Sequence, residues 1–214
     1  METYEKAIFY ITFCLSLAYP LLYLRSFVRN NKAFKIFTCY LLIIGVIQLL
    51  SKLIIKVFNF ESNLFLSHYY FILQFILLSI FYHQLLKKRW IYYILGVVLI
   101  LLGAQYVGEP ELYFRYNSIG MFGTQVILVM YALIYMYQGL SGSKQFTIVN
   151  VGIFFYLLSS SLIFASGNLV FDINVPESFS DLLVDINKVL YLLFQILIIT
   201  EWYRNYRKPK PVLK

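Results

Sequence analysis

The sequence has few of the residues that carry out catalysis, bind metals or form cross-links. Its 214 residues include two cysteines, two histidines and ten acidic residues. Charged residues make up 13% of the chain, about half the ~25% usual in a soluble domain. It contains no Gly-rich phosphate loop, no HExxH and no nucleophile elbow. A soluble fold of this size exposes close to a third of its chain and could not hide so much apolar surface. A soluble enzyme, a nucleic-acid-binding domain and a disordered chain are therefore excluded.

The cysteines and histidines are poorly placed for a disulfide or a shared metal ion. Cys14 and Cys39 lie at different depths of two apolar stretches, whereas a disulfide needs Cα atoms within ~7 Å. His68 and His83 fall on one stretch, about 22 Å apart at 1.5 Å per helical residue. We therefore expect no metal and no cofactor.

The chain is rich in long apolar runs, and 61% of its residues are hydrophobic. A helix that crosses the hydrocarbon of a bilayer needs ~20 mainly apolar residues, and seven stretches are long enough to be candidates. The predicted helices cover residues 7–24, 34–57, 64–86, 90–107, 117–137, 146–171 and 182–203. These runs do not alternate as the ~10-residue strands of a membrane barrel do. The pattern predicts an all-α transmembrane bundle.

The bundle is predicted to form a single domain, 1–214, because no connection is long enough for a second one. Lys52 interrupts the second stretch, and the fourth is short. If either lay in the interface, the count would be six and both termini would share a side. The first stretch lacks a preceding basic region and a following small-residue cleavage site, so we expect a retained helix and not a signal peptide.

The distribution of lysine and arginine predicts the orientation. With the N-terminus outside, 13 of the 18 basic residues fall on inner segments, including the basic tail 204–214. The positive-inside rule therefore predicts an outer N-terminus and a cytoplasmic C-terminus in a multi-pass protein of the plasma (inner) membrane. We expect the basic residues to contact anionic lipid headgroups and not nucleic acid.

Polar side chains at membrane depth are the candidates for a site, because placing them there is costly. Helical periodicity gives the seventh helix one polar stripe, and four other helices carry polar residues toward the same outer end. A polar pocket open to the outside follows from this shared depth. The alternative is that these residues are packing contacts, with Asp185 and Lys188 forming an ion pair at the wet start of the helix. The candidate ligand-binding residues are Lys52, His68, Asn117, Asn168, Asp181, Asp185, Lys188 and Gln195.

Three segments resemble a group of small seven-helix membrane proteins of Bacteroidota. They are HYYFILQ at 68–74, Asn117-Ser118, and VGIFFYLLS at 151–159 with Gly167-Asn168. The resemblance covers most of the chain and implies a fold similar to the membrane-sensing modules of histidine kinases. This chain departs from such kinases by ending about ten residues after the last predicted helix. Any signal would therefore pass to a separate partner.

The expected function is that of a non-enzymatic sensory or accessory subunit acting through another membrane or cytoplasmic protein. A small transporter or channel subunit is the first alternative, because Asp185 and Lys188 are charges at membrane depth. A structural subunit of a larger membrane complex is the second. An enzyme acting on lipid is disfavoured, because His83 with Glu201 is the best inner pair that the sequence offers.

Overall fold

The computed structural model describes residues 2–56, 63–114, 117–140, 142, 145–165 and 177–207. Within them the chain is all-helical, with seven α-helices and a 3₁₀ turn at Pro110–Phe114. The seven predicted helices are confirmed as helices, and predicted residues 57 and 166–171 lie outside the described part. The helices are α1 (Glu2–Arg25), α2 (Lys32–Lys56), α3 (Leu64–Leu86), α4 (Trp90–Gly108), α5 (Ser118–Gly139), α6 (Thr147–Ala165) and α7 (Glu177–Asn205).

Five helices of the described part are long and apolar enough to cross a membrane. They are Lys32–Ile54, Leu64–Leu86, Trp90–Gly108, Ser118–Gly139 and Asp185–Asn205. Thr147–Ile163 is apolar and shorter, and the side chains of α1 are described at Ile8 and from Tyr10 onward. Because a helix satisfies its own backbone hydrogen bonds, such segments are suited to the hydrocarbon of a bilayer.

Six of the described helices form a closed ring, and α4 lies outside it. The order around the ring is α1, α2, α3, α5, α6 and α7, and α7 packs back onto α1. The helix α4 packs chiefly on α3. Its outer face is apolar and open, with Tyr93, Val97 and Ile100 all exposed. This face is suited to contact with lipid.

Contacts between distant segments define one end of the bundle, which we call the basic end. There the Ser26 hydroxyl donates to the Tyr206 carbonyl oxygen at 3.2 Å, and the Asn31 amide donates to Gln145 Oε1 at 2.6 Å. At the opposite end, the Asn63 amide donates to the hydroxyl of Ser51. The described basic residues of the basic end are Arg25, Arg29, Lys32, Lys35, Lys87, Lys88, Arg89, Arg204 and Arg207.

A cluster of buried rings, which we call the aromatic core, fills the ring of helices toward the basic end. Its ring centroids are 5.1 Å apart for Phe37 and Phe81, 5.1 Å for Phe81 and Phe146, and 4.6 Å for Phe34 and Tyr206. Aromatic pairs at such distances attract beyond the effect of their buried area. The members are Tyr23, Phe34, Phe37, Phe81, Phe146 and Tyr206.

Three helices bury polar side chains that recur on one face at helical spacing. Between them, the Tyr82 hydroxyl donates to Asn150 Oδ1 at 2.8 Å, and the Asn150 amide donates to the Ala132 carbonyl oxygen at 3.1 Å. These bonds tie α3, α6 and α5 together inside the ring. The buried residues of these faces are His68, Phe75, Ser79 and Tyr82; Asn117, Thr124, Tyr131 and Tyr135; and Asn150, Leu157 and Ser161.

The helices α6 and α7 approach closely at Gly152. A Cβ at this position would lie 2.8 Å from Cδ2 of Phe194. That ring is buried and stacked on Tyr156, with centroids 5.4 Å apart and an interplanar angle of 7°, so it has little room to move.

We expect Gly152→Ala to lower the free energy of unfolding by about 1–3 kcal/mol, because the extra methyl overpacks the α6–α7 contact. Denaturant unfolding in mixed micelles, followed by circular dichroism, measures it. Gly96→Ala on α4 is the matched control, since a Cβ there meets nothing within 4 Å. Equal losses in the two variants would contradict a close contact at Gly152.

Candidate functional site

A cavity of about 660 Å³ lies between α1, α2, α3 and α7, at the end opposite the basic end. We call this the cavity end. The volume is within the range of small-molecule sites, which combine apolar walls with a few polar groups. The lining has that character. Its residues are Ile8, Tyr10, Thr12, Phe13, Ile47, Gln48, Ser51, Lys52, Asn63, Leu64, Leu66, Ser67, Tyr70, Lys188 and Tyr191.

Two lysines from different helices line the cavity. Lys52 Nζ lies 3.3 Å from the centroid of the Phe13 ring, a cation–π contact between α2 and α1. Lys188 Nζ lies 2.7 Å from Asp185 Oδ1, and the two side chains are 45% and 42% exposed. This is the ion pair that the i,i+3 spacing predicts. An exposed pair of this kind adds little stability, so Lys188 remains available to a competing anion.

The inner wall of the cavity, which we call the floor, is a hydrogen-bonded network. The Tyr191 hydroxyl accepts from Gln48 Nε2 and lies 3.4 Å from the Tyr19 hydroxyl. Below it, Gln195 is fully buried and donates from Nε2 to the Thr12 carbonyl oxygen at 3.0 Å. The floor therefore joins α1, α2 and α7. Gln195 packs beneath the cavity and does not line it.

A second polar cluster, the histidine cluster, lies between α3, α4 and α5. His68 Nδ1 is 2.6 Å from the Tyr106 hydroxyl. The Asn117 amide donates to that hydroxyl at 3.3 Å and to Gln105 Oε1 at 3.2 Å. Asn117 Oδ1 accepts from the Gly120 backbone N–H at 2.9 Å, which makes Asn117 the N-cap of α5. The cluster fastens α4 to the ring.

The structure divides the predicted site residues into two groups. Lys52 and Lys188 line the cavity, and Asp185 holds Lys188 at its rim. His68 and Asn117 meet in the histidine cluster. Two further residues of the prediction, Asn168 and the side chain of Asp181, lie outside the described part.

Tyr113 covers the histidine cluster from the 3₁₀ turn. Its ring stacks on His68, with centroids 5.7 Å apart, and its hydroxyl is 3.0 Å from the Tyr69 hydroxyl. The hydrogen bond with Tyr69, followed by burial, raises the pKa of Tyr113 above its ordinary value. A raised phenol pKa favours the neutral form in the folded chain. The contact therefore stabilises the fold below the ordinary tyrosine pKa, and that contribution is lost as the pH rises through the raised value.

We expect Tyr69→Phe to lower the pKa of Tyr113 toward the ordinary value of about 10. An NMR titration of ring-labelled tyrosine, with the Tyr113 signal assigned by Tyr113→Phe, measures the shift. Tyr203→Phe at the basic end is the control. An unchanged Tyr113 pKa in the Tyr69→Phe protein would contradict the hydroxyl pair.

Glu201 is a buried carboxylate whose structural role the sequence reasoning missed. It is 0% exposed and accepts hydrogen bonds from the backbone N–H of Ile148 at 3.0 Å and of Val149 at 3.3 Å. The Asn205 amide donates to its other oxygen at 2.6 Å. The first turn of a helix presents free N–H groups and favours negative charge. Glu201 therefore anchors α7 to the N-terminus of α6.

The predicted inner pair, His83 and Glu201, does not form a contact among the described hydrogen bonds. Glu201 follows Gln195 and Ile198 at three-residue steps, and all three residues are buried, so the helical stripe marks Glu201 as a core residue. His83 instead lies 3.1 Å from the Lys88 carbonyl oxygen, and its ring centroid is 4.1 Å from that of Tyr92. His83 and Glu201 thus have separate partners.

The described residues hold few groups that bind metals or form cross-links. In this part of the chain no group of three or more His, Cys, Asp or Glu residues could hold a metal ion. Cys14 and Cys39 are free, the first exposed and the second partly buried. The cavity at the cavity end combines apolar walls with two lysines, which is the character of a small-molecule site.

Comparison of the chain with protein-family models, with curated proteins and with solved structures finds no match. The resemblance to seven-helix proteins of Bacteroidota therefore stays a prediction. The features of the described residues that bear on function are the cavity, its charges and its position in the bundle.

Proposed function

We propose that the chain is a multi-pass protein of the plasma (inner) membrane, with seven crossings, an outer N-terminus and a cytoplasmic C-terminus. The five long apolar helices support the membrane setting. The nine described lysines and arginines at the basic end support the orientation, because basic residues are retained on the cytoplasmic side. In this orientation the cavity opens outward and the basic end meets anionic headgroups.

The proposed role is that of a non-enzymatic sensory or accessory subunit. The observation that carries it is the cavity, which combines two lysines with apolar walls at the outer end. A ligand that binds there favours one packing of α1 against α7 over another. Because the two helices are also bonded to each other toward the basic end, a change in their packing at the cavity is transmitted to that end. They are joined farther along, where the Tyr23 hydroxyl donates to the Ile198 carbonyl oxygen at 3.1 Å and Ser26 donates to Tyr206.

The receiver of the signal is proposed to be another membrane or cytoplasmic protein at the basic end. A transporter is less well supported, because the aromatic core fills the ring of helices on the inner side of the cavity. A solute path would have to displace Phe37, Phe81 and Phe146, whose rings lie within 5.6 Å of one another by centroid. A purely structural subunit would have no use for a charged cavity.

Cysteine accessibility tests the orientation and the opening of the cavity. In a Cys14→Ser, Cys39→Ser background, we expect Ser51→Cys and Ser67→Cys to react with a membrane-impermeant maleimide in intact cells. Gln84→Cys at the basic end is expected to react after permeabilisation only. The proposed orientation would be overturned if all three cysteines reacted in intact cells. It would also be overturned if Ser51→Cys and Ser67→Cys reacted after permeabilisation only.

Site-specific cross-linking tests the accessory role. We expect a photoreactive residue at Lys87 to capture a discrete protein partner in native membranes, with a yield that changes in an Asp185→Asn, Lys188→Met double variant. A photoreactive residue at Tyr93 on the exposed face of α4 is the control for incidental neighbours. Equal capture from both positions, or solute uptake by proteoliposomes that contain this chain alone, would contradict the role.

A further inference from the structure

We infer that the cavity binds a compact organic carboxylate with an aromatic or branched apolar body. This inference deepens the proposed function and rests on it, because it names the class of ligand that the outer site takes. Three observations carry it: the sign of the charges that line the cavity, the chemistry of its walls and its short depth.

The charges favour an anion. The ionised side chains among the described lining residues are Lys52 and Lys188, which approach from α2 and α7. The carboxylate of Asp185 lies 2.7 Å from Lys188 Nζ and is not part of the described lining. A ligand carboxylate that reaches either ammonium group would form charge-assisted hydrogen bonds, which are shorter and stronger than neutral ones. A cation would meet like charge.

The walls favour an apolar body. Phe13, Leu64 and Leu66 line the cavity from α1 and α3, and Phe13 already holds the Lys52 ammonium over its ring. An aromatic ligand would pack against the same side chains and bring its acid group to Lys52. Apolar walls with a few placed polar groups are the usual composition of a small-molecule site.

The depth favours a compact ligand. The lining of α3 runs from Asn63 to Tyr70, about 10 Å at 1.5 Å per residue. The floor ends the cavity on its inner side, because Gln48 and Tyr191 are hydrogen-bonded to each other there. A long extended acyl chain would exceed this depth, whereas a ring or a branched body fits the width of a 660 Å³ cavity.

Photolabelling of the whole chain in nanodiscs of zwitterionic lipid tests the inference. The probe is 4-benzoylbenzoate, and its uncharged amide is the matched comparison. We expect the acid to label peptides of α1, α2, α3 or α7 at least about tenfold more strongly than the amide, a ratio that corresponds to about 1.4 kcal/mol. Competition by 4-phenylbutanoate, and not by 4-phenylbutanamide, is expected to remove the label.

Variants locate the anion. We expect Lys52→Met and Lys188→Met each to lower labelling by about tenfold. Lys35→Met is the control, since Lys35 also stands over an aromatic ring, that of Phe27 at 5.7 Å, at the basic end. Asp185→Asn is expected to raise labelling several-fold, because it frees Lys188 from its carboxylate partner. A variant that merely fails to fold cannot produce this gain.

The outcomes separate this inference from the proposed function. Equal labelling by acid and amide, or equal losses in Lys52→Met and Lys35→Met, would overturn the anionic ligand. If the anion binds as expected but Ser51→Cys and Ser67→Cys react from inside only, the ligand class stands and outward sensing falls. If these cysteines react from outside but the acid has no advantage, the outward site stands and the ligand class falls.

Discussion

Replacing Glu201 by alanine is expected to lower the free energy of unfolding by about 4 kcal/mol, because three donors lose their acceptor and each buried donor left unsatisfied costs about 1–3 kcal/mol. Two backbone N–H groups of α6 and the Asn205 amide donate to this carboxylate, and the side chain is fully buried. The substitution removes every one of these acceptors at once. Unfolding in bicelles titrated with dodecyl sulfate, followed by the fluorescence of neighbouring Trp202, measures the loss.

Two further variants separate the charge from the hydrogen bonds. Glu201→Gln keeps one acceptor oxygen and nearly the same volume, so we expect a loss of about 1–2 kcal/mol. Glu109→Ala, which removes an exposed acid at the C-cap of α4, is expected to stay within about 0.5 kcal/mol of the parent. If Glu201→Ala cost no more than Glu109→Ala, the anchor between α6 and α7 would be refuted.

The helices themselves could be predicted from the sequence, because an apolar run of bilayer length is a local property of the chain. The predicted bounds 64–86 agree with α3 at both ends, and 90–107 agrees with α4 to within one residue. The polar stripe of a helix is equally local, because it depends on the 100° step of the helix and on polar residues spaced to recur on one side.

The division of the site could not be predicted, because it depends on which helix stands on each side of α3. Ser67 and His68 are consecutive residues about 100° apart on that helix. Ser67 lines the cavity, whereas His68 bonds to Tyr106 of α4. The sequence placed Lys52 and His68 at a shared depth and could not show that α3 separates them. The order of helices around a ring is set by tertiary packing, which no local pattern encodes.

Phe81→Ala is expected to lower the free energy of unfolding by about 3–4 kcal/mol, because the truncated ring leaves a cavity in a tightly packed cluster. Phe81 is fully buried, and its ring lies 5.1 Å by centroid from both Phe37 and Phe146. In a bilayer the lost contacts are van der Waals and ring–ring contacts, since lipid is as apolar as the core. The dodecyl sulfate titration described for Glu201 measures this loss as well.

Phe155→Ala is the matched control, because Phe155 is 54% exposed on α6 and loses few protein contacts. We expect its effect to stay within about 0.5 kcal/mol, and similar losses in the two variants would contradict the aromatic core.

Because Phe81 belongs to the half of the ring toward the basic end, folded Phe81→Ala protein should still bind the benzoylbenzoate probe at the cavity end. If the core also transmits the shift of α1 and α7, cross-linking of the partner from Lys87 should lose its dependence on Asp185 and Lys188. Retention of that dependence would show that the signal reaches the basic end by another route.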